Sequence, residues 1–92
     1  MKIAVCDDDS QELERISALI DTYKRESKVP LTYKTFRSAT ELISSMGSSD
    51  YDILLLDILM PGINGMQAAH EIRVFDAGVK IVFLTSSPEF AV

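Results

Sequence analysis

Ile53-Leu54-Leu55-Leu56-Asp57-Ile58-Leu59-Met60-Pro61-Gly62 runs four large apolar residues straight into a carboxylate and then turns at Pro-Gly. A short unbroken apolar run of this kind suits a strand covered on both faces, as in a parallel sheet. Asp57 then sits at the strand's carboxyl end, the edge that carries the ligand crevice in open α/β sheets. A carboxylate there is costly to desolvate unless something compensates it. A second stretch ends the same way: Ile3-Ala4-Val5-Cys6, then Asp7-Asp8-Asp9. If the two strands are parallel neighbours, their acidic tips converge on an anionic pocket suited to a hard cation.

Working outward, the chain has the size of one domain, covering residues 1–92. Its formal net charge of −5, without any Lys or Arg run, argues against a nucleic-acid surface. A single cysteine excludes a disulfide framework and suits a reducing compartment. No signal peptide and no membrane-spanning apolar stretch are seen, so the expected location is cytoplasmic, with no membrane partner.

Lys2 to Cys6 reads as the first strand. Asp9 and Glu12 form a capping-box pair ahead of a helix whose inward stripe is Leu13, Ile16, Leu19, Ile20 and Tyr23. That helix should end near Ser27. Leu31 to Phe36 alternates like an edge strand. Ser38 and Glu41 form a second capping box for a short helix with Leu42, Ile43 and Met46, stopped by Gly47-Ser48-Ser49. After the Asp57 strand, Asn64-Gly65 opens a helix with Met66, Ala69, Ile72 and Val74 or Phe75 inward, and Gly78 as a left-handed stop. Lys80 to Thr85 is a further strand, and Ser87-Pro88 starts another helix. The alternation β-α-β-α-β-α-β implies a parallel α/β sheet with right-handed crossovers.

Asp7, Asp8 and Asp57 are the central constellation. Like charges at such range repel by ~4 kcal/mol per close pair at an effective dielectric near 20. An oxygen-rich site with few protein ligands suits Mg²⁺ or Mn²⁺, which keep waters and accept phosphoryl oxygens. Asp7 and Asp8 alone could equally begin a loop, and it is Asp57 at a second strand tip that favours a site. Thr85 would place a hydroxyl on the same edge, though hydroxyls are common at strand ends. Cys6 reads as a small buried hydrophobe, His70 as a solvated helix residue, and Met66 and Phe75 as core.

Val5-Cys6-Asp7-Asp8, then Asp57-Ile58-Leu59-Met60-Pro61 with Gly65, then Leu84-Thr85-Ser86, resemble the receiver domain of bacterial two-component response regulators. The resemblance covers the whole chain. It implies a flavodoxin-like doubly wound sheet, here four strands in the order 2-1-3-4. It also implies that Asp57 accepts a phosphoryl group from a histidine kinase, that Asp8 ligates Mg²⁺ directly and Asp7 through water, that the Leu59 carbonyl completes the protein ligands, and that Thr85 is the switch hydroxyl. Cys-Asp-Asp early and Val82 to Ala91 late are similar to regulators with a LytTR-type DNA-binding output domain, which would make the parent a transcription regulator whose receiver does not itself touch DNA. Against the family pattern, the 92 residues are read as a truncated receiver, expected to lack the rest of helix four, strand five, helix five and the output domain, and with them the phosphoryl-contacting lysine. Lys2 and Lys80 fall at amino ends of strands, Lys34 inside an edge strand, and Lys24 and Lys28 late in helix one or after it, so none replaces it.

Three functions compete. The first is a phosphoacceptor switch that catalyses only its own phosphorylation and dephosphorylation. The second is a haloacid-dehalogenase-type phosphatase, disfavoured because Leu59 stands where that class needs a second Asp. The third is an interaction module that accepts no phosphate. With no strand beyond Thr85, Ile81-Val82-Phe83-Leu84 becomes an uncharged sheet edge, and self-association through that side is expected, by edge pairing or by exchange of a segment hinged at Ser86-Ser87-Pro88.

Overall fold

The computed structural model describes residues 1–47 and 50–84. Four strands, β1 (Lys2–Cys6), β2 (Thr32–Phe36), β3 (Ile53–Asp57) and β4 (Lys80–Leu84), alternate with α1 (Ser10–Ser27), α2 (Ala39–Met46) and α3 (Gly65–Phe75). All strand pairs are parallel, in the order β2-β1-β3-β4. The expected topology is the observed one. Parallel pairing sends every strand's carboxyl end to one edge, and the register Cys6↔Leu56 brings the tips of β1 and β3 level.

Strand alternation divides the apolar residues between two faces. On one face Ala4, Cys6, Leu54 and Leu56 pack against Ala39, Leu42 and Met46 of α2 and Ala68 and Ile72 of α3. On the other, Ile3 and Val5 pack against Leu13 and Ile16 of α1, with Leu31 beside them. Ile53, Leu55 and Leu84 border that second cluster and stay partly exposed.

Helix phases depart from expectation. Leu19 and Tyr23 of α1 are more than half exposed, because α1 meets the sheet through the narrow stripe of Leu13, Ile16 and the partly buried Ile20. In α3 the inward stripe is Gly65, Ala68 and Ile72, so Met66, Val74 and Phe75 point outward rather than into the core. Gly65 sets this phase. Its backbone N–H donates to the Ile58 carbonyl at 2.9 Å, and a Cβ there would overlap the Asp57 carbonyl oxygen. Only a residue without a side chain permits so close an approach.

The caps also differ in detail. Asp9 caps α1 by accepting from the Gln11 N–H, while Glu12 pairs with Arg15 instead of returning to the cap. Ser38 accepts from the Glu41 N–H at 3.2 Å as expected. The reciprocal box belongs to Asn64 and Gln67 on α3, an Asn-x-x-Gln pattern visible in the sequence. Gly78 is not a left-handed stop. Asp76 ends α3 in an extended conformation, and its carboxylate accepts from the Gly78 and Val79 N–H groups. The left-handed cap is Lys28, at φ 56°, ending α1. Ser48 and Ser49, Thr85, the Ser86-Ser87-Pro88 hinge and the helix start at Ser87-Pro88 lie outside the described residues.

Candidate phosphoacceptor and metal site

Asp7, Asp8 and Asp57 meet at the carboxyl edge. One carboxylate oxygen from each lies within 4.8 Å of the others. Backbone ties hold the tips in place. The Asp7 N–H donates to the Phe36 carbonyl at 3.0 Å, which fixes it to β2. The Ile58 N–H donates to the Leu84 carbonyl at 3.2 Å, which fixes the residue after Asp57 to β4. Arg37 donates to the Asp8 main-chain carbonyl at 3.3 Å.

The cleft above these tips is open and measures ≈ 440 Å³. Asp7, Asp8, Asp9, Glu12, Asp57, Leu59 and Arg15 line it, with Ile16 and Leu84 as its apolar wall. No lysine is among these described lining residues. Lys2 and Lys80 lie at the opposite strand ends, as expected. Arg15 is the functional candidate that sequence reasoning missed. A helix starting at Ser10 returns to the same side every three to four residues, and that spacing links Glu12 to Arg15.

The electrostatics are those of uncompensated charge. Burial, then the charge of Asp7, pushes Asp57 up to about 6, against a weaker opposing pull from the Leu59 N–H. Asp7, only 5% exposed, is also raised, first by burial, although it accepts the Asp9 N–H at 3.0 Å. The two carboxylates lie close enough that the charge of one raises the proton affinity of the other, so they titrate as a pair. Cys6, directly beneath, is fully buried with its thiol against the Met60 sulfur at 3.7 Å, and burial pushes its pKa up to about 12. It is a packing residue, as its sequence context implied, and His70 is exposed. Three converging carboxylates, two of them raised, form an all-oxygen donor set that fits a hard divalent cation.

Residues 3–91 match the family model for the response regulator receiver domain. The chain belongs to this family. The receiver is 30% identical to the transcriptional regulatory protein NatR of Bacillus subtilis, a match covering 100% of this chain and 38% of NatR. It is 35% identical to accessory gene regulator protein A of Staphylococcus epidermidis, covering 97% of this chain and 39% of that protein. The receiver thus spans under two-fifths of the length of these relatives. Among solved structures, it superposes on the response regulator TrrA of Thermotoga maritima, in complex with Mg²⁺–BeF, with a TM-score of 0.75 and 31% identity, covering 97% of this chain and 72% of that one. TrrA has also been solved in complex with the histidine kinase ThkA; that match has a TM-score of 0.70 and 30% identity, covering 99% and 73% of the two chains. Among the described residues, no helix is long and apolar enough to cross a membrane.

Proposed function

We propose that this receiver is a phosphoacceptor switch within a longer cytoplasmic response regulator, and that Asp57 takes a phosphoryl group from a histidine kinase. The observation that carries this reading is the convergence of Asp57 with Asp7 and Asp8 in an open cleft. TrrA supports it twice, through its Mg²⁺–BeF complex and through its complex with a kinase.

A group titrating near 6 is mostly ionised at neutral pH, so an Asp57 oxygen is available as nucleophile. It forms a bond to phosphorus while the phosphorus–nitrogen bond of the donor phosphohistidine breaks; the leaving nitrogen keeps the electron pair. Hydrolysis returns Asp57 as a carboxylate, with water as the attacking group. Asp7 and Asp8, with the Leu59 carbonyl, would hold Mg²⁺ or Mn²⁺ beside Asp57. When bound, that ion supplies positive charge against the carboxylates and the phosphoryl oxygens. Thr85 is assigned as the hydroxyl that reads the phosphorylated state. An output domain of the LytTR DNA-binding type fits the naming of NatR as a transcriptional regulator. For the 92-residue chain, the edge at β4, with Val82 47% and Phe83 38% exposed, is proposed to pair with a second copy.

The test is incubation with acetyl phosphate and Mg²⁺, followed by intact mass. A gain of one phosphoryl group that Asp57→Asn abolishes is expected. A wild-type chain that gains nothing favours the binding-module alternative, which the absence of a lysine among the described lining residues makes the specific rival.

A further inference from the structure

We propose that Arg15 is a phosphoryl-binding residue of this receiver, held on Glu12 until the acceptor is modified. The proposal rests on the phosphoacceptor reading of Asp57 and adds a residue to it. Among the described residues lining the cleft, five are carboxylates, Asp7, Asp8, Asp9, Glu12 and Asp57, and Arg15 is the single cation. Modification of Asp57 replaces one negative carboxylate with a phosphoryl group carrying up to two charges. A divalent ion offsets part of that charge, and the lining remains strongly negative. A cationic side chain would offset part of what is left, and among the described lining residues Arg15 is the one that can supply it.

The geometry allows the exchange. Arg15 grips Glu12 with a two-pronged contact, Nη2 to Oε2 at 2.8 Å and Nε to Oε2 at 3.3 Å. Its side chain is 60% exposed and that of Glu12 40% exposed, so the pair is solvated and gives way at little cost. A guanidinium that fits a carboxylate fork fits two phosphoryl oxygens equally well. Glu12, Arg15 and Asp57 all line the same open cleft, so both acceptors proposed for the guanidinium face one space. Lys24, further along α1 and not on the cleft wall, serves as the control.

The probe is beryllofluoride, which mimics the phosphoryl group on a carboxylate, titrated in saturating Mg²⁺ and followed by ¹⁹F NMR. Mg²⁺ affinity is measured separately by calorimetry. Arg15→Gln is expected to weaken beryllofluoride binding about 10-fold, the scale of one charge-assisted contact. Arg15→Lys should recover part of that loss, and Glu12→Gln, which frees the guanidinium, should tighten binding. Mg²⁺ affinity of Arg15→Gln should hold or rise, and Lys24→Gln should leave both unchanged. Equal beryllofluoride binding by wild type and Arg15→Gln overturns the role of Arg15 while leaving the phosphoacceptor reading intact. A parallel loss of Mg²⁺ affinity or of melting temperature in Arg15→Gln shows a structural role and overturns it as well. Failure of the wild type to bind beryllofluoride removes the phosphoacceptor reading and this proposal together.

Discussion

The two faces of the sheet are built to different standards. The face under α2 and α3 is closed over β1 and β3, where Leu54 and Leu56 with Leu42 and Ile72 are fully buried, and opens toward β4 at Phe83. Among the described residues, the face under α1 is covered by Leu13 and Ile16 with the partly buried Ile20, and Leu55 and Leu84 stay partly open. The closed face anchors the β1–β3 pair from one side, while the thinly covered face runs up into the cleft, where Ile16 and Leu84 form the wall. The site is thus mounted on strands with one well-covered face and bordered by residues that stay partly exposed.

The largest test of that contrast is a matched pair on one strand. Leu54→Ala, into the closed face, should cost about 2–5 kcal/mol in urea denaturation. Leu55→Ala, one residue on and facing α1, should cost about 1 kcal/mol or less, because less apolar surface returns to water. Equal losses would break the comparison. Next comes Gly65→Ala, which sharpens it: the added methyl meets the Asp57 carbonyl, so α3 must lift from the closed face, at roughly 1–3 kcal/mol. Ala68 is also buried on that stripe, but there the methyl already has room.

A smaller effect belongs to the acidic tip. Folded-state pKa values of Asp57 and Asp7 both lie above their unfolded values, and for Asp57 the native state holds more protons between about pH 4 and about pH 6. Stability of the metal-free protein should therefore fall as pH rises through that window, by roughly 1 kcal/mol after allowing for solvent screening. Asp57→Asn should flatten the slope. Millimolar Mg²⁺ should raise the melting temperature at about pH 7.5 and lose that effect at about pH 4.5, and Asp8→Asn should weaken it. A melting curve in EDTA that rises with pH over this range would contradict the arrangement. The smallest change in folding is expected from Val82→Lys on the open side, within about 0.5 kcal/mol. That variant should nonetheless abolish concentration-dependent light scattering, if copies pair along β4.

Topology was legible because apolar runs that end in carboxylates fit little besides a parallel sheet with its strand tips together. The convergence of Asp7, Asp8 and Asp57 followed from parallel pairing alone. Helix faces were less legible. Leu19, Tyr23, Met66, Val74 and Phe75 recur with apolar spacing, yet periodicity does not say how wide the covered strip is. For α3 the deciding contact was a backbone approach at Gly65, which carries no hydrophobic signal. Arg15 escaped notice because its relevance depends on which side of α1 faces the cleft, not on its type.

Cys6 gives the molecule an internal clock. A thiol pushed up to about 12 and sealed against Met60 reacts with an alkylating reagent only when β1 is released from the sheet. Since the chain has one cysteine, each modified molecule records one opening event. The labelling rate then reports how often the strand beneath Asp7 comes loose, in native buffer and without denaturant. Occupancy of the carboxylates next door should slow that clock, so ligand binding at the tip becomes readable as the lifetime of a single strand.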